Sequence, residues 1–533
     1  MLVVNKPAGW NTHSPNPYSG EGIYEWLKHR ETRWSSLAIL HRLDKETSGV
    51  LVFGKSAAAN RSLTAQFTEH SIRKTYQLLT DRPVKDGPLR LVSTLVRAGE
   101  KYLNRPLHAG GNEAETHFSP LEHQVGRCLI EARPVTGRTH QIRVHAAALG
   151  FPILGDSLYG GTQNPRLCLH AAEIRFQHPV SGAALQFKVP ADFSANARLE
   201  LRGALGESCE PSGSALSATD PELAQTNSWR LIHGAADGWP GWYVERLGDY
   251  LLSQSERVLD VTQQSELTRL MEHFSSRGAY HKTLNRQVGR TNTPQASPQL
   301  VMGQPAPDQF LIQENGVNYE LSFHEGYSVG LFLDQRDNRR RFLTNHVAAE
   351  FPALFAASTG AEVLNTFAYT CGFSVCAAKA GAKTVSLDLS KKYLEWGRRN
   401  FAHNGLDAAA HDFIFGDTFD WLRRLAKKGR RFDLIILDPP TFSHSRENGT
   451  FSAEKDYGEL VRSALPVLNS GGTLLASTNA ARVEPETFLE TLRTALQSCG
   501  RKLLRQHYAP QPPDFPVIRE EPAYLKTVWL KIQ

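Results

Sequence analysis

The pattern of hydrophobic and polar positions changes along this chain. From Glu362 onward, short apolar runs alternate with segments whose apolar residues recur at helical spacing. Strands alternating with helices are typical of a parallel sheet covered by helices on both faces. The predicted strands are residues 362–367, 384–389, 413–415, 432–437 and 472–477, and the predicted helices are residues 374–380, 391–404 and 419–428. This part of the chain is therefore predicted to be Rossmann-like.

The segment 203–227 contains no aromatic residue, valine or isoleucine. Such a segment buries too little apolar area to offset its chain entropy, so residues 201–227 are predicted to be a flexible linker. It separates a first domain, residues 1–200, from a small central α+β domain, residues 228–308, and a last domain, residues 309–533. The last domain is predicted to open with a β-rich stretch whose hairpin turn is Asn315-Gly316. The fold class is thus multidomain, combining α+β and α/β parts.

Composition agrees with a globular protein. The chain has 533 residues, of which 41% are hydrophobic and 21% charged, and this length predicts about three domains. No apolar run approaches the ~20 residues that span a bilayer, so we expect no membrane partner and a cytoplasmic location. The six cysteines form no Cys-x-x-Cys pair and no zinc spacing. They are therefore predicted to be free thiols, and no metal site is expected.

The net charge of +6 is unevenly distributed. Residues 1–200 hold 24 Lys and Arg against 17 Asp and Glu, whereas the remainder is close to neutral. A positive field in the first domain would attract a polyanion such as RNA.

One acidic residue of the first domain is a candidate nucleophile. Asp44 stands in a polar turn immediately before an apolar strand, a place from which a carboxylate can reach the edge of a cleft. A loop aspartate is also commonly an Asx-turn former or a helix cap, so this position alone leaves both interpretations open.

Five motifs that occur in order favour the first interpretation. They are residues 3–9, 41–49, 74–79, 137–145 and 155–160. Together they resemble the RluA-type family of pseudouridine synthases over about residues 1–195. The resemblance implies a mixed-sheet fold and the isomerisation of uridine to pseudouridine in RNA. That reaction breaks the C1′–N1 bond, turns the uracil and rejoins it through C5, without an external cofactor.

The resemblance also implies roles for three residues in catalysis. Asp44 would act as the nucleophile or assist glycosidic cleavage. Tyr76 would stack on the target base and assist proton removal at C5, the alternative being a core tyrosine. Arg143 would pair with the catalytic carboxylate and keep it ionised and oriented.

Three further residues of these motifs are predicted to bind RNA. Arg42 would enter the stack where the target uridine has flipped out, although a surface contact with phosphate is an alternative. Arg138 and His140 belong to the fourth motif and complete the predicted RNA contacts.

The last domain shows a candidate nucleoside site. Gly372 would let a ligand approach a turn that leads into a helix, and Asp388 and Asp417 end successive predicted strands. An acidic residue at such a strand end can accept hydrogen bonds from ribose hydroxyls. The Gly-x-Gly-x-x-Gly pattern of nicotinamide enzymes is missing from this sequence. Each aspartate alone could be a strand-end cap.

The segment Asp438-Pro439-Pro440 follows the fourth of these strands, and residues 330–339 lie upstream. With residues 237–242, these stretches resemble the RlmI/RlmK-type class I methyltransferases over roughly residues 228–533. The resemblance implies S-adenosylmethionine as cofactor and large-subunit ribosomal RNA as partner. The expected cofactor contacts are Asn365, Phe367, Tyr369, Gly372, Asp388, Asp417 and Asp438.

The methylated base is inferred from the residues after the strand at 472–477. Family members that make 5-methylcytosine use a cysteine there to attack C6, whereas this chain has Ser477-Thr478-Asn479. Guanine N7 has a free lone pair and needs only positioning. We therefore favour 7-methylguanine, with Asp438 and Asn479 orienting the base; alternatively, Asp438 only braces its loop.

The sequence therefore predicts an RNA-modifying enzyme with two activities. Three alternatives stay open: 5-methylcytosine formation, a methyltransferase whose synthase domain only binds RNA, and a synthase with a silent methyltransferase domain.

Overall fold

The computed structural model describes residues 1–20, 22–30, 32–193, 225–284, 297–326, 328–355, 360–445 and 449–533. These residues form two compact units, one built mainly from the chain before residue 194 and the other mainly from the chain after residue 224. Most of the predicted linker, residues 201–224, lies outside the described residues. Within the described ranges, no helix is both long enough and apolar enough to cross a bilayer.

The first unit is built on one mixed sheet. The sheet order is β1-β3-β9-β4-β8-β7-β5-β6, with β10 paired to β9 and β2 paired to β3. The elements are β1 (Leu2–Lys6), α1 (Ile23–Arg30), β2 (Ala38–Ile39), β3 (Ser48–Gly54), α2 (Ala57–Thr68), β4 (Arg73–Thr80), β5 (Leu89–Ala98), β6 (Lys101–Arg105), β7 (Asn112–Gln124), β8 (Arg127–Pro134), α3 (Gln141–Ala148), β9 (Leu169–Gln177) and β10 (Ala184–Lys188).

The pair β3 and β9 is parallel in a sheet that is otherwise antiparallel. All seven residues of β3 are buried, because Val50 and Val52 pack on one side and Leu51 and Phe53 on the other. The mixed sheet predicted for the first domain is confirmed.

The second unit contains a five-stranded sheet, two hairpins and a seven-stranded sheet. Its elements are β11 (Ser228–His233), β12 (Trp242–Leu247), β13 (Tyr250–Ser255), α4 (Val261–His273), β14 (Gly278–Thr283), β15 (Gln299–Gly303), β16 (Phe310–Glu314), β17 (Val317–Leu321), α5 (Arg336–Leu343), β18 (Glu362–Thr366), α6 (Gly372–Lys379), β19 (Lys383–Asp388), α7 (Lys391–Ala402), β20 (Asp412–Phe415), α8 (Thr418–Lys427), β21 (Phe432–Leu437), β22 (Phe442–Ser445), β23 (Gly449–Ser452), α9 (Ala453–Ala464), β24 (Leu468–Thr478), α10 (Pro485–Ser498), β25 (Leu503–Ala509) and β26 (Lys526–Ile532).

The seven-stranded sheet has the order β20-β19-β18-β21-β24-β26-β25. Its first five strands are parallel, as the alternating pattern predicts. The last two differ from an all-parallel sheet, because β26 pairs antiparallel with both β24 and β25. Strands β25 and β26 follow each other without a described crossover helix, and such a connection produces antiparallel neighbours. The strand order reverses between β18 and β21, which opens a crevice at their carboxyl ends.

The central sheet shares its core with the rest of the second unit. Tyr280 of β14 stacks on Phe323 with ring centroids 4.0 Å apart, and Tyr250 of β13 packs edge-on against the same ring. One cluster of buried residues runs from Leu247 to Trp529. Residues 228–308 and 309–533 therefore fold as one compact unit, and residue 308 marks no gap between cores.

The predicted hairpin turn joins β16 and β17. Asn315 and Gly316 both adopt the left-handed region, with φ of 49° and 72°, as a two-residue type I′ turn requires. The backbone N–H groups of both residues donate to the preceding chain, to Thr226 Oγ1 and the Gln225 carbonyl. The last three residues of the predicted linker thus belong to the fold, which corrects the end of the linker.

Candidate active sites

The loop that carries Asp44 is held from both sides. Thr12 exchanges two hydrogen bonds with the backbone of Leu43, and the ammonium group of buried Lys6 donates to the Lys45 carbonyl at 3.0 Å. The loop then enters β3 at Gly49, whose φ of 114° favours glycine. A side chain there would meet the Ala171 carbonyl oxygen at 2.3 Å. The sequence thus presents Asp44 on a braced loop at the start of β3.

Asp44 lines a cleft of about 340 Å³ in the first unit. The cleft brings together all six residues that the motifs predict for the synthase, which are Arg42, Asp44, Tyr76, Arg138, His140 and Arg143. The sequence analysis missed Lys74 and His41, which also line the cleft. Both residues lie inside the synthase motifs, at residues 74–79 and 41–49, and this position could have identified them from the sequence. The cationic side chains around one carboxylate suit a polyanionic substrate.

Arg143 does not pair directly with Asp44. Its Nε and Nη2 donate to the two carboxylate oxygens of Asp156, both at 2.8 Å, and the Asp156 side chain is fully buried. This corrects the pairing implied by the family resemblance. Asp156 belongs to the fifth motif, where the sequence analysis assigned it no role. A buried carboxylate opposite the guanidinium holds it in place with bidentate geometry, while Arg143 still acts on Asp44 through its charge.

Tyr76 lies on β4 and is partly buried at the cleft. Burial raises the pKa of its phenol, and the negative charge of Asp44 raises that pKa further. The phenol therefore stays protonated well above neutral pH, and its neutral ring is available for stacking. Burial also lowers the pKa of the Lys74 ammonium and lowers the pKa of His41 to about 3. His41 is accordingly neutral, and its Nε2 accepts from the Val52 N–H.

His140 lies deeper than the predicted RNA contacts Arg42 and Arg138. Its side chain is 18% exposed, and Nε2 stands 4.0 Å from Asp44 Oδ2. Its Nδ1 lies 2.9 Å from the Tyr159 hydroxyl. Arg42 and Arg138 are both exposed at the rim of the cleft.

In the second unit, the loop between β18 and α6 forms the first side of the predicted nucleoside site. Phe367, Tyr369 and Cys371 all adopt the left-handed region, with φ between 48° and 63°. Asp388 at the end of β19 supports this turn, because Oδ2 accepts from the Tyr369 N–H and Oδ1 from the Ser390 N–H, both at 2.8 Å. Burial raises the pKa of Asp388, and its backbone donors oppose that shift.

A cleft of about 350 Å³ lies beside this loop, and Phe367, Leu389, Asp417 and Phe419 are among the residues that line it. An aromatic ring, an apolar side chain and a carboxylate fit the base of a nucleoside. The Asp388 carboxylate, with lone pairs left beyond its two backbone bonds, fits the ribose hydroxyls. These residues therefore suit S-adenosylmethionine.

Two of the expected cofactor residues have structural roles. The Asn365 side chain is buried, and its amide donates to Ser374 Oγ at 2.9 Å, so it anchors α6 from beneath. A Cβ on Gly372 would lie 3.1 Å from Leu331 Cδ1. The space that its missing side chain leaves is thus taken by Leu331. Direct cofactor contact by the Asn365 side chain is therefore corrected, whereas cofactor contact at Gly372 stays a prediction.

Asp438 follows β21 at the carboxyl edge of the seven-stranded sheet. Burial raises the pKa of its carboxyl to about 6, and the nearby Asp334 contributes to that increase. Gln335 Nε2 donates to Asp438 Oδ2 at 3.2 Å and to Ser477 Oγ at 2.8 Å. Exposed Asn479, at the end of β24, accepts from Thr441 in the loop after Asp438. The structure thus places Asn479 in contact with the loop that follows Asp438.

Gln335 was missed as a site residue, although it lies within the quoted stretch 330–339. Its place inside that stretch could have identified it from the sequence.

The two buried thiols of α6 and the turn before it, Cys371 and Cys376, are unsuited to attack a base. Burial raises the pKa of both Cys371 and Cys376 to about 12, far above neutral pH. Throughout the described ranges, no cluster of three or more His, Cys, Asp or Glu side chains could hold a metal ion.

Comparison with protein families matches both units. Residues 1–148 match the family described as RNA pseudouridylate synthase, and residues 229–531 match the family described as S-adenosylmethionine-dependent methyltransferase. The second match covers more than half of the chain.

Individual relatives match the second unit. A ribosomal RNA large subunit methyltransferase of Deinococcus radiodurans is 33% identical over 320 residues, which are 58% of this chain and 74% of the relative. Ribosomal RNA large subunit methyltransferase I of Shigella flexneri is 30% identical, covering 56% of this chain and 73% of its own length. A solved structure from Streptococcus mutans, described as a SAM-dependent methyltransferase, is 30% identical with a TM-score of 0.48, covering 57% of this chain and 75% of that chain. The chain therefore belongs to the S-adenosylmethionine-dependent methyltransferase family and carries an RNA pseudouridylate synthase domain in its first unit.

Proposed function

We propose that this chain is a bifunctional RNA-modifying enzyme. It isomerises uridine to pseudouridine in its first unit and methylates a base of large-subunit ribosomal RNA, preferably guanine at N7, in its second. Its site of action would be the cytoplasm. The ribosomal substrate is proposed from the relatives, which are large-subunit methyltransferases by name.

One observation carries the synthase proposal: Asp44, Tyr76 and Arg143 line a single cleft although they lie far apart in sequence. Asp44 supplies the carboxylate that attacks or assists the glycosidic carbon. Tyr76 supplies a neutral aromatic ring beside it for the flipped uracil. Arg143, held by Asp156, supplies a fixed positive charge near the carboxylate. A module that only binds RNA has no need of this arrangement.

The test of the synthase proposal is Asp44→Asn, which keeps the shape of the side chain but removes its nucleophilic carboxylate. Pseudouridine formation should fall below detection in RNA incubated with the full chain, while methyl transfer persists. The matched control is Asp86→Asn, the same substitution at a side chain that is 98% exposed, and it should leave both activities unchanged. Pseudouridine formation by Asp44→Asn would instead favour a different nucleophile, and loss of both activities would mean one coupled site.

The preference for guanine N7 rests on the groups around Asp438. S-adenosylmethionine supplies an electrophilic methyl group when bound, and the lone pair of N7 can accept it without a covalent enzyme intermediate. The residue beside Asp438 on the neighbouring strand is Ser477, and the buried thiols of Cys371 and Cys376 stay protonated. The ionised Asp438 and the amide of Asn479 would orient the base edge.

The methylated base is identified by mass spectrometry of nucleosides from ribosomal RNA incubated with methyl-labelled cofactor. Labelled 7-methylguanosine is expected, and labelled 5-methylcytidine would overturn the preference. Calorimetric titration with S-adenosylmethionine is the companion measurement, because failure to bind would mean a silent methyltransferase unit.

A further inference from the structure

We infer that His140 is a positioning residue of the synthase site, which presents an Nε2–H donor to Asp44 in a tautomer set by the Tyr159 hydroxyl. This inference rests on the proposed role of Asp44 as nucleophile. It gives His140 a role in the rate of the reaction, beyond the RNA contact that its motif suggests.

The backbone of His140 aims its side chain at Asp44. His140 occupies the N-cap position of α3, where a polar side chain commonly caps the helix, yet it makes no capping hydrogen bond. Its φ of 56° lies in the left-handed region, which histidine and asparagine adopt more readily than most residues. The imidazole lies instead between Tyr159, at 2.9 Å from Nδ1, and Asp44, at 4.0 Å from Nε2.

Hydrogen bonding around Tyr159 favours one tautomer of the imidazole. The Tyr102 N–H donates to the Tyr159 hydroxyl oxygen at 2.9 Å. His140 Nδ1 lies 2.9 Å from the same hydroxyl, and the inferred direction is donation of the hydroxyl proton to Nδ1. A neutral imidazole carries one N–H, so when Nδ1 accepts, the proton resides on Nε2, the nitrogen that faces Asp44. The partner of one ring nitrogen thus sets the state of the other.

The imidazole is neutral in this setting. Burial lowers the pKa of His140, and the positive charges of Arg143 and Arg42 lower it further, against the carboxylates nearby. The charged and titratable groups that face it are Asp44, Arg143, Asp156, Arg42, Tyr102 and Tyr159.

A neutral donor suits the chemistry of the nucleophile. A hydrogen bond from Nε2 holds one carboxylate oxygen and leaves the other for the substrate. Because it adds no net positive charge, it weakens the nucleophile less than a second ion pair would. The 4.0 Å separation is one that a catalytic hydrogen bond can close when substrate binds.

Two substitutions separate the two ring nitrogens. In His140→Asn, the amide reaches the position of Nδ1 but not that of Nε2, and asparagine tolerates the left-handed backbone. In His140→Gln, the longer side chain can place an N–H where Nε2 stands. Single-turnover pseudouridine formation at saturating enzyme should fall about 10- to 100-fold in His140→Asn, the loss expected for one hydrogen bond to a charged group. It should recover to within about 3-fold of wild type in His140→Gln.

RNA affinity is measured on the same variants by filter binding, and it should change by less than about 3-fold, since the donor acts on Asp44 and not on phosphate. Hydrogen-exchange protection of the β4 and β9 amides reports that the first unit is folded in each variant. The inference is overturned if His140→Asn reacts at the wild-type rate, if its loss lies entirely in RNA affinity, or if His140→Gln is as slow as His140→Asn.

Tyr159→Phe tests the source of the tautomer. Phenylalanine keeps the ring, over which the Arg143 guanidinium lies 5.1 Å from the centroid, but removes the hydroxyl proton that Nδ1 accepts. The maximal rate should fall about 3- to 10-fold, because the imidazole can then place its proton on either nitrogen. An unchanged rate would overturn the role of Tyr159. Asp44→Asn is measured alongside. If that variant still forms pseudouridine, the proposed function fails. If Asp44→Asn is inactive but His140→Asn reacts at the wild-type rate, only the inference about His140 is removed.

Discussion

The buried pair of Arg143 and Asp156 predicts a large loss of stability in the first unit when its carboxylate is removed. The Asp156 side chain is fully buried and that of Arg143 is 10% exposed, and two hydrogen bonds of 2.8 Å join them. Asp156→Asn keeps the shape but removes the charge, and it places an amide N–H group against a guanidinium N–H group. Removing one partner of a buried pair costs about 3–5 kcal/mol, and because one acceptor oxygen remains, we expect about 3 kcal/mol.

The assay has to report on the first unit alone, since unfolding of a chain with two compact units is not a single transition. Hydrogen-exchange mass spectrometry of the full chain does so through the slowest amides of β4 and β9. A loss of about 3 kcal/mol corresponds to about 100-fold lower protection of those amides, at 1.4 kcal/mol for each factor of ten. Pseudouridine formation should fall through its maximal rate, because Arg143 loses the partner that orients it.

The matched control is Glu131→Gln on β8, which breaks a pair with Arg133, whose side chain is 66% exposed. Exposed pairs contribute about 0–1 kcal/mol, so its protection should change by less than about 5-fold. If Asp156→Asn changes protection no more than this control does, the pair does not stabilise the unit and the reasoning from burial is refuted.

Three predictions concern the second unit. Asp388→Ala should raise the Kd for S-adenosylmethionine about 10- to 100-fold in calorimetry. The control Asp412→Ala should leave this Kd unchanged, because Asp412 lies at the other end of the neighbouring strand β20. Equal effects on the Kd would mean that Asp388 only stabilises the sheet. Methyl transfer should rise with pH around a midpoint of about 6, because the buried Asp438 carboxyl is ionised only above that pKa and then accepts hydrogen bonds through both oxygens. An unchanged midpoint in Asp438→Asn would assign the titration elsewhere. Cys371→Ala should retain methyl transfer, because the wild-type Cys371 thiol packs against Gly397 and stays protonated. A complete loss of methyl transfer with wild-type cofactor binding would point to covalent catalysis.

The sequence by itself determined the chemistry-bearing residues and the order of most elements. The parallel strands β18 to β21 and β24 follow from apolar runs that a doubly covered sheet requires, because period and run length are local properties. Asp44, Tyr76 and Arg143 were named from motifs, and the cleft contains all three. The hairpin at Asn315 and Gly316 was equally predictable, since its turn depends on two adjacent residues.

Partners across long sequence separations were decided only by the tertiary structure. The motifs indicated that Arg143 binds a carboxylate, but the choice of Asp156 over Asp44 depends on which of them the packing buries beside the guanidinium. The same holds for Gln335, which reaches Asp438 from 103 residues away, and for the central sheet, whose aromatic side chains join the core of the larger unit. Local pattern specifies what a side chain can do, whereas burial and proximity, which arise only when distant segments pack, specify the partner with which it acts.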